Sequence, residues 1–213
     1  MTKNILIVKG GFSDEAEISR MSAISVQKVL KYKGYKTKLI EPGKNFIPYL
    51  IKNKKRIDLI FNALHGAWGE DGKIQGLFEY LKIPYTHSGV TSSALGMNKF
   101  LSKKIFLHSN IKSPRGKIIT EESLFKKDPY TRPFIIKPVE EGSSLGIHLI
   151  KKNTNLKNIL DKDNLKEYLV EEYIAGIDIT VGIMNGKAIG MLEVIPSNEI
   201  YGYDDKYKSK KTK

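Results

Sequence analysis

Residues 4–40, NILIVKGGFSDEAEISRMSAISVQKVLKYKGYKTKLI, decide the fold class. Ile5, Leu6, Ile7 and Val8 form an unbroken apolar run of strand length, as in a parallel strand buried on both faces. Gly10 and Gly11 break it. Ser13 and Asp14 are candidate N-caps for a helix over about Glu15–Lys33, with Ile18, Ser22, Val26 and Val29 on one face. Gly34 supplies the stop expected after a helix, and Tyr35–Ile40 reads as a second strand.

The alternation continues. Ile47–Asn53 is a short helix, Ile57–Leu64 a third buried strand, and HGAWGEDG a loop. A helix follows near Lys73–Leu81 with Ile74, Leu77, Phe78 and Leu81 on one face, then a short strand at Ile83–Tyr85. Alternating strands and helices joined by short connections predict an open parallel sheet with helices on both sides. Ligands of such sheets bind outside the carboxyl ends of the strands. Glu15 and His65 would face that crevice.

Two helical pieces, Thr91–Gly96 and Asn98–Ser109, lead into a strand-rich α+β region that begins near residues 100–115. Its strands are expected at Lys117–Thr120, Phe134–Lys137, Ile147–Ile150, Tyr168–Glu172, Ile179–Met184 and Ala188–Ile195. Helices are expected at Glu121–Lys126 and Asn155–Leu160. Asn185-Gly186 is a type I′ hairpin signal. Within this region FIIKPVEEGSSLG (Phe134–Gly146) runs a strand into a Gly/Ser loop. Glycine lets backbone N–H groups approach an anion, two hydroxyls add donors, and Lys137 adds charge. The loop reads either as a flap over nucleotide phosphates or as an ordinary Gly/Ser hairpin; its spacing is not the Walker pattern. Two domains closing on a cleft would exclude water.

Composition narrows the classes. The 213 residues are 40% hydrophobic and hold no cysteine, which excludes disulfides and thiolate metal sites. No apolar run reaches membrane-spanning length, and the run at Ile5–Val8 is too short for a signal peptide. A cytoplasmic protein without membrane attachment is expected. The net charge of +13 raises nucleic-acid binding. The lysines are scattered, however, with five in the last eight residues, KYKSKKTK. Charge alone speaks for non-specific association, so no specific nucleic-acid partner is expected.

Six stretches taken in order resemble the D-alanine:D-alanine ligase family of the ATP-grasp superfamily: Gly10–Ser19, Leu64–Gly76, Pro84–Lys99, Ile135–Ile147, Val170–Ile183 and Tyr203–Tyr207. The resemblance implies an N-terminal α/β substrate-binding domain (1–98), a central ATP-grasp subdomain (99–178) and the start of a C-terminal ATP-grasp subdomain with a mobile loop (179–213). It also implies about a third more chain. The family's late Arg and Asp, its Glu-x-Asn strand and its Pro-Gly-Met-Thr turn have no counterpart here. The chain therefore resembles the N-terminal two-thirds of a ligase, from a fragment, a split gene or a truncated record. ATP and Mg²⁺ would be the cofactors, with no metal ligands in this chain. D-alanine would be the substrate, and the complete protein a homodimer.

By the same resemblance, Lys99 and Lys137 neutralise the phosphates of ATP, and the loop Glu141, Gly142, Ser143 and Ser144 covers them. Glu171, Glu172 and Ile174 receive adenine, and Asp178 stands where the family usually has a glutamate for the ribose. Glu15 pairs with the ammonium of the first D-alanine, and His65 lies near its carboxylate. Ser143 and Tyr207 form a hydrogen-bonded chain with Glu15, and Lys206 shares Tyr207's loop. Trp68 departs from the family pattern and is expected to cap its loop by packing. A different carboxylate–amine ligase and a non-catalytic basic binding protein are the competing classes.

Overall fold

The computed structural model describes residues 2–163, 167–207 and 212, and divides into two compact units, 1–102 and 103–213. Positions 208–211 and 213 of the lysine-rich tail lie outside the described residues.

The first unit runs β1 (Asn4–Val8), α1 (Ala16–Tyr32), β2 (Lys36–Ile40), α2 (Phe46–Asn53), a 3-10 turn (Lys54–Arg56), β3 (Leu59–Asn62), α3 (Lys73–Tyr80) and α4 (Val90–Met97). The three strands form a parallel sheet in the order β2-β1-β3. The central strand explains its own apolar run. Ile5 and Ile7 pack with Ala23, Val26 and Leu30 of α1. Leu6 and Val8 pack with Phe46 and Leu50 of α2 and with Ile74 and Phe78 of α3. Helices thus cover both faces, and each fully buried aliphatic side chain contributes about 1.5–3 kcal/mol.

Three expectations need correction. The buried face of α1 is Ser19 and Ala23 with Val26 and Leu30, while Val29 is 56% exposed. Apolarity alone misplaces the stripe, because small side chains sit where the helix meets the strand ends. The Ser19 hydroxyl donates to Ala63 O (2.6 Å) and accepts from Gly10 N–H (2.8 Å). The N-cap of α1 is Glu15, and Ser13 precedes it, accepting Glu15 N–H on its hydroxyl and Ala16 N–H on its carbonyl. Ile83–Tyr85 makes a single parallel bridge, Tyr85 to Ile60, and not a full strand.

The second unit contains β4 (Gly116–Thr120), α6 (Glu121–Lys126), β5 (Phe134–Lys137), β6 (His148–Ile150), α7 (Lys157–Asp163), β7 (Glu167–Glu172), β8 (Asp178–Met184), β9 (Lys187–Val194) and α8 (Tyr203–Tyr207); α5 (Lys99–His108) begins in the first unit and ends in the second. Four strands form an antiparallel sheet in the order β4-β7-β5-β6. Phe134, Ile136, Tyr168 and Val170 of this sheet pack on Leu124, Leu156 and Leu160. β8 and β9 form a separate hairpin whose turn residues, Asn185 and Gly186, have φ of 50° and 74°. Two positive φ values are what a type I′ turn requires. The hairpin's strands are apolar, yet Ile183, Met191 and Leu192 are each more than 60% exposed.

Candidate functional site

In the second unit, β7 carries Glu171 between β4 and β5, opposite Gly116 on one side and Ile135 on the other. Its side chain is nearly buried and bridges two lysines. Lys103 Nζ lies 2.6 Å from Oε1, and Lys137 Nζ pairs with Oε2. Lys103 also donates to Pro114 O. A carboxylate with one cation on each oxygen answers the desolvation that burial imposes. The close approach depends on Gly116, where a Cβ would stand 2.9 Å from Glu171 Cγ and 3.0 Å from Lys103 Cε.

Glu172 points elsewhere. Arg115 N–H donates to Oε1 (2.8 Å) and Arg115 Nε to Oε2 (2.9 Å). These bonds, the backbone one foremost, hold its carboxyl below the usual range.

A cavity of about 460 Å³ opens on this cluster. Lys137, Ser144, Glu171, Glu172, Ile174 and Asp178 all line it. Of the residues expected to handle ATP, these six come together. Glu141 and Gly142 belong to the adjoining loop and do not line the hollow. Lys99 is the first residue of α5, in the first unit, while Lys137 is in the second.

The Gly/Ser loop contains a tight turn. Leu145 N–H donates to Gly142 O at 3.0 Å. Ser143 and Ser144 have φ of 48° and 61°, a region L-residues enter at a cost of about 1–2 kcal/mol each. Gly146, at φ 65°, lies against the Pro138 ring, where a Cβ would be 2.8 Å from Cγ. The Ser143 hydroxyl and the Tyr207 phenol are hydrogen-bonded at 2.8 Å. Tyr207 also packs on Tyr203, with ring centroids 4.9 Å apart. Lys206 Nζ lies 5.3 Å from the centroid of the Tyr201 ring. Asp205 anchors this segment. Its buried carboxylate accepts from the Ser197 hydroxyl, Asn198 Nδ2 and Ser197 N–H, and these bonds depress its pKa.

In the first unit, the loops after β1 and β3 meet at the carboxyl end of the sheet. Ser13 Oγ donates to His65 O (2.7 Å). The buried Glu15 carboxylate packs on Gly66, where a Cβ would be 2.8 Å from Oε2. Glu15 and His65 therefore lie on adjoining loops at that end of the sheet. Glu70 holds the loop by accepting Gly66 N–H (2.8 Å) and by facing His65 Nδ1 at 3.7 Å. The Glu70 contact raises the His65 pKa against the opposing effect of burial, with a smaller contribution from Glu15. His65 Nε2 is buried and has no partner among the described residues. Trp68 is 51% exposed at φ 69° and meets Phe12 edge-on, so it packs on the neighbouring loop without sealing its own.

The residues missed by sequence reasoning are Lys103, Arg115, Gly116, Glu70 and Asp205. Only Lys103 carried a usable signal, standing four residues after Lys99, one helical turn on.

Two family models match the chain: "D-ala D-ala ligase C-terminus" over residues 106–213 and "D-ala D-ala ligase N-terminus" over residues 43–88. The D-alanine–D-alanine ligase of Pelagibacter ubique is 42% identical over 217 residues, covering 98% of this chain and 70% of that protein. This chain belongs to the D-alanine–D-alanine ligase family. The ligase of Zymomonas mobilis is also 42% identical, over 96% of this chain and 65% of its own length. The crystal structure of the Bacillus anthracis ligase superposes with a TM-score of 0.80 at 30% identity, over all of this chain and 71% of that one. The same ligase complexed with ATP gives 0.76 at 29% identity. The chain spans about two thirds of the length of the curated relatives it matches. The fold is accordingly that of the ligase family: a parallel-sheet α/β domain followed by an antiparallel ATP-grasp region. Among the described residues no helix is long and apolar enough to cross a membrane.

Proposed function

We propose that this chain carries the substrate- and nucleotide-binding parts of a ligase that joins two D-alanines at the expense of ATP, supplying the dipeptide for peptidoglycan. The observation that carries the reading is the Lys103–Glu171–Lys137 cluster on a hollow that Ser144 of the Gly/Ser loop also lines, in a chain of ligase ancestry. A carboxylate is a poor electrophile at neutral pH. The γ-phosphoryl of ATP passes to the carboxylate of the first D-alanine, breaking its bond to ADP and forming an acyl phosphate. The amine of the second D-alanine then attacks the acyl carbon. A C–N bond forms, the C–O bond to phosphate breaks, and phosphate leaves with the electron pair and the amine's proton. Such chemistry asks the protein for charge neutralisation and positioning.

In this scheme Lys99 and Lys137 face the phosphates, and Glu141, Gly142, Ser143 and Ser144 cover them. Glu171 keeps lone pairs free for the adenine amine beyond those that hold its two lysines. Glu172 and Ile174 offer backbone groups to the base, and Asp178 the ribose contact. Glu15 takes the ammonium of the first D-alanine, and His65, with its raised pKa, suits the carboxylate of that substrate. Ser143 and Tyr207 link the phosphate loop to the segment bearing Lys206. Residues 1–98, 99–178 and 179–213 act as substrate domain, central ATP-grasp subdomain and the beginning of the next. The complete enzyme works as a cytoplasmic homodimer.

Magnesium, when bound, would supply further charge neutralisation at the phosphates. Among the described residues no group of three or more His, Asp or Glu side chains could hold a metal ion. The 213-residue chain alone is therefore expected to bind ATP weakly and not to turn over; D-alanine-dependent phosphate release by it would contradict this. Fused to the part of the Zymomonas mobilis ligase that lies outside the match, it should ligate D-alanine. There Lys137→Ala should lower kcat about 100-fold or more, with the fold retained because Lys103 still holds Glu171. Wild-type turnover in that variant would remove Lys137 from the site. Failure to accept D-alanine, with turnover on another amine, would assign a different ligase activity.

A further inference from the structure

The first unit holds a cavity of about 510 Å³ at the amino-terminal end of its sheet, which the ligase reading leaves unused. One wall is the sheet. The pairing of Asn4 with Lys36 and of Leu6 with Lys38, together with strand alternation, sets both lysines on the same face as Leu6. The other wall is the end of α2 and the turn after it, with Tyr49, Lys55, Arg56 and Ile57. α2 is only eight residues long and stops at Asn53, so this part of the sheet is left open.

Four cations therefore line one hollow, and no carboxylate is among the lining residues. Asp58, next in the chain, already accepts Asn4 N–H at 2.6 Å. Among the described residues none of Lys36, Lys38, Lys55 and Arg56 forms an ion pair; Lys38 instead lies over the Tyr49 ring at 4.3 Å. Lys9 and Arg20, further along the sheet, are by contrast neutralised by Glu41. Like charges on facing walls above an apolar floor of Leu6 and Ile57 raise the positive potential over the hollow, although all four side chains are exposed. Lysine is a point-charge ligand for phosphate and arginine a planar fork for it. The volume lies within the range of small-molecule sites.

We propose that this cavity binds a small polyanion of the phosphate class, a diphosphate or triphosphate either free or on a nucleotide, between Lys36 and Lys38 on one side and Lys55 and Arg56 on the other. The site is independent of the Lys137 cluster.

The test is a titration of the ¹⁵N-labelled 213-residue chain with inorganic pyrophosphate, ionic strength being held constant with sodium chloride. Saturable shifts are expected at the amides of Lys36–Lys38 and Asn53–Ile57. The double variant Lys55→Gln/Arg56→Gln should weaken binding by about tenfold or more. Lys28→Gln, on exposed α1, and Lys137→Ala should leave these shifts unchanged. Should the double variant lose its dispersed spectrum, the exposed Lys36→Gln carries the same test. ADP binding tighter than pyrophosphate at these amides identifies a nucleotide; equal or weaker binding identifies a free phosphate. The proposal falls if those amides show no saturable shift up to about 10 mM pyrophosphate, if chloride alone gives the same shifts, or if both charge-removing variants bind as the parent does.

Discussion

Glu171→Gln is the sharpest perturbation the second unit offers. At 2.6 Å the Lys103–Glu171 attraction is worth about 6 kcal/mol gross at an effective dielectric of 20. Most of that repays the desolvation of groups whose side chains are only 7% and 13% exposed. Glutamine keeps the volume but removes the charge, and its NH₂ must face one of two ammonium donors. Lys103 and Lys137 are then left near each other with no anion between them. Breaking a buried pair in this way costs about 3–5 kcal/mol. The lower end is expected, because Lys137 is 20% exposed and can turn toward water. A loss of about 3 kcal/mol corresponds to amide exchange about 100-fold faster in the slowest residues of β5 and β7. Native-state hydrogen exchange on the purified chain measures this residue by residue. Lys103→Met, which leaves Glu171 paired with Lys137, should cost about half as much. A Glu171→Gln loss under about 1 kcal/mol would show that the carboxylate is not the electrostatic centre of the unit.

Three further outcomes are expected. Glu41, bonded by Arg20 and then by Lys9, has its pKa lowered from 4.5 to about 2. Its contribution is present above pH 4.5 and lost as the pH falls through about 2. With 37% of the side chain exposed, screening limits that contribution to about 1 kcal/mol. Glu41→Gln should flatten the acid limb of a plot of melting temperature against pH over that window, and an unchanged limb would deny the assignment. Gly116→Ala should cost about 1–3 kcal/mol in urea unfolding, because its methyl meets Glu171 Cγ, Lys103 Cε and Val170 O; a neutral result would mean that the strands move apart freely. The exposed apolar residues of β8 and β9 should make the 213-residue chain self-associate. Ile183→Lys/Leu192→Lys should lower its light scattering, and equal scattering would place the sticky surface elsewhere.

The sequence by itself determined most of the strand–helix order and the change from a parallel to an antiparallel pattern after residue 100. Those signals are local: the unbroken run Ile5–Val8, the glycines after it, the Asn185-Gly186 turn and the loop Glu141–Gly146. Tertiary structure decided what depends on distance between remote residues. Lys103 reaches Glu171 only because β4 and β7 pair at Gly116, and Asp205 finds Ser197 and Asn198 only once its segment folds back. Likewise, the inner face of α1 is chosen by how closely Ser19 and Ala23 let a helix approach the sheet, a property of shape that hydrophobic periodicity does not encode. The four cations around Lys36 and Arg56 look like scattered surface charge in the chain. Strand alternation and the shortness of α2 are what turn them toward one hollow.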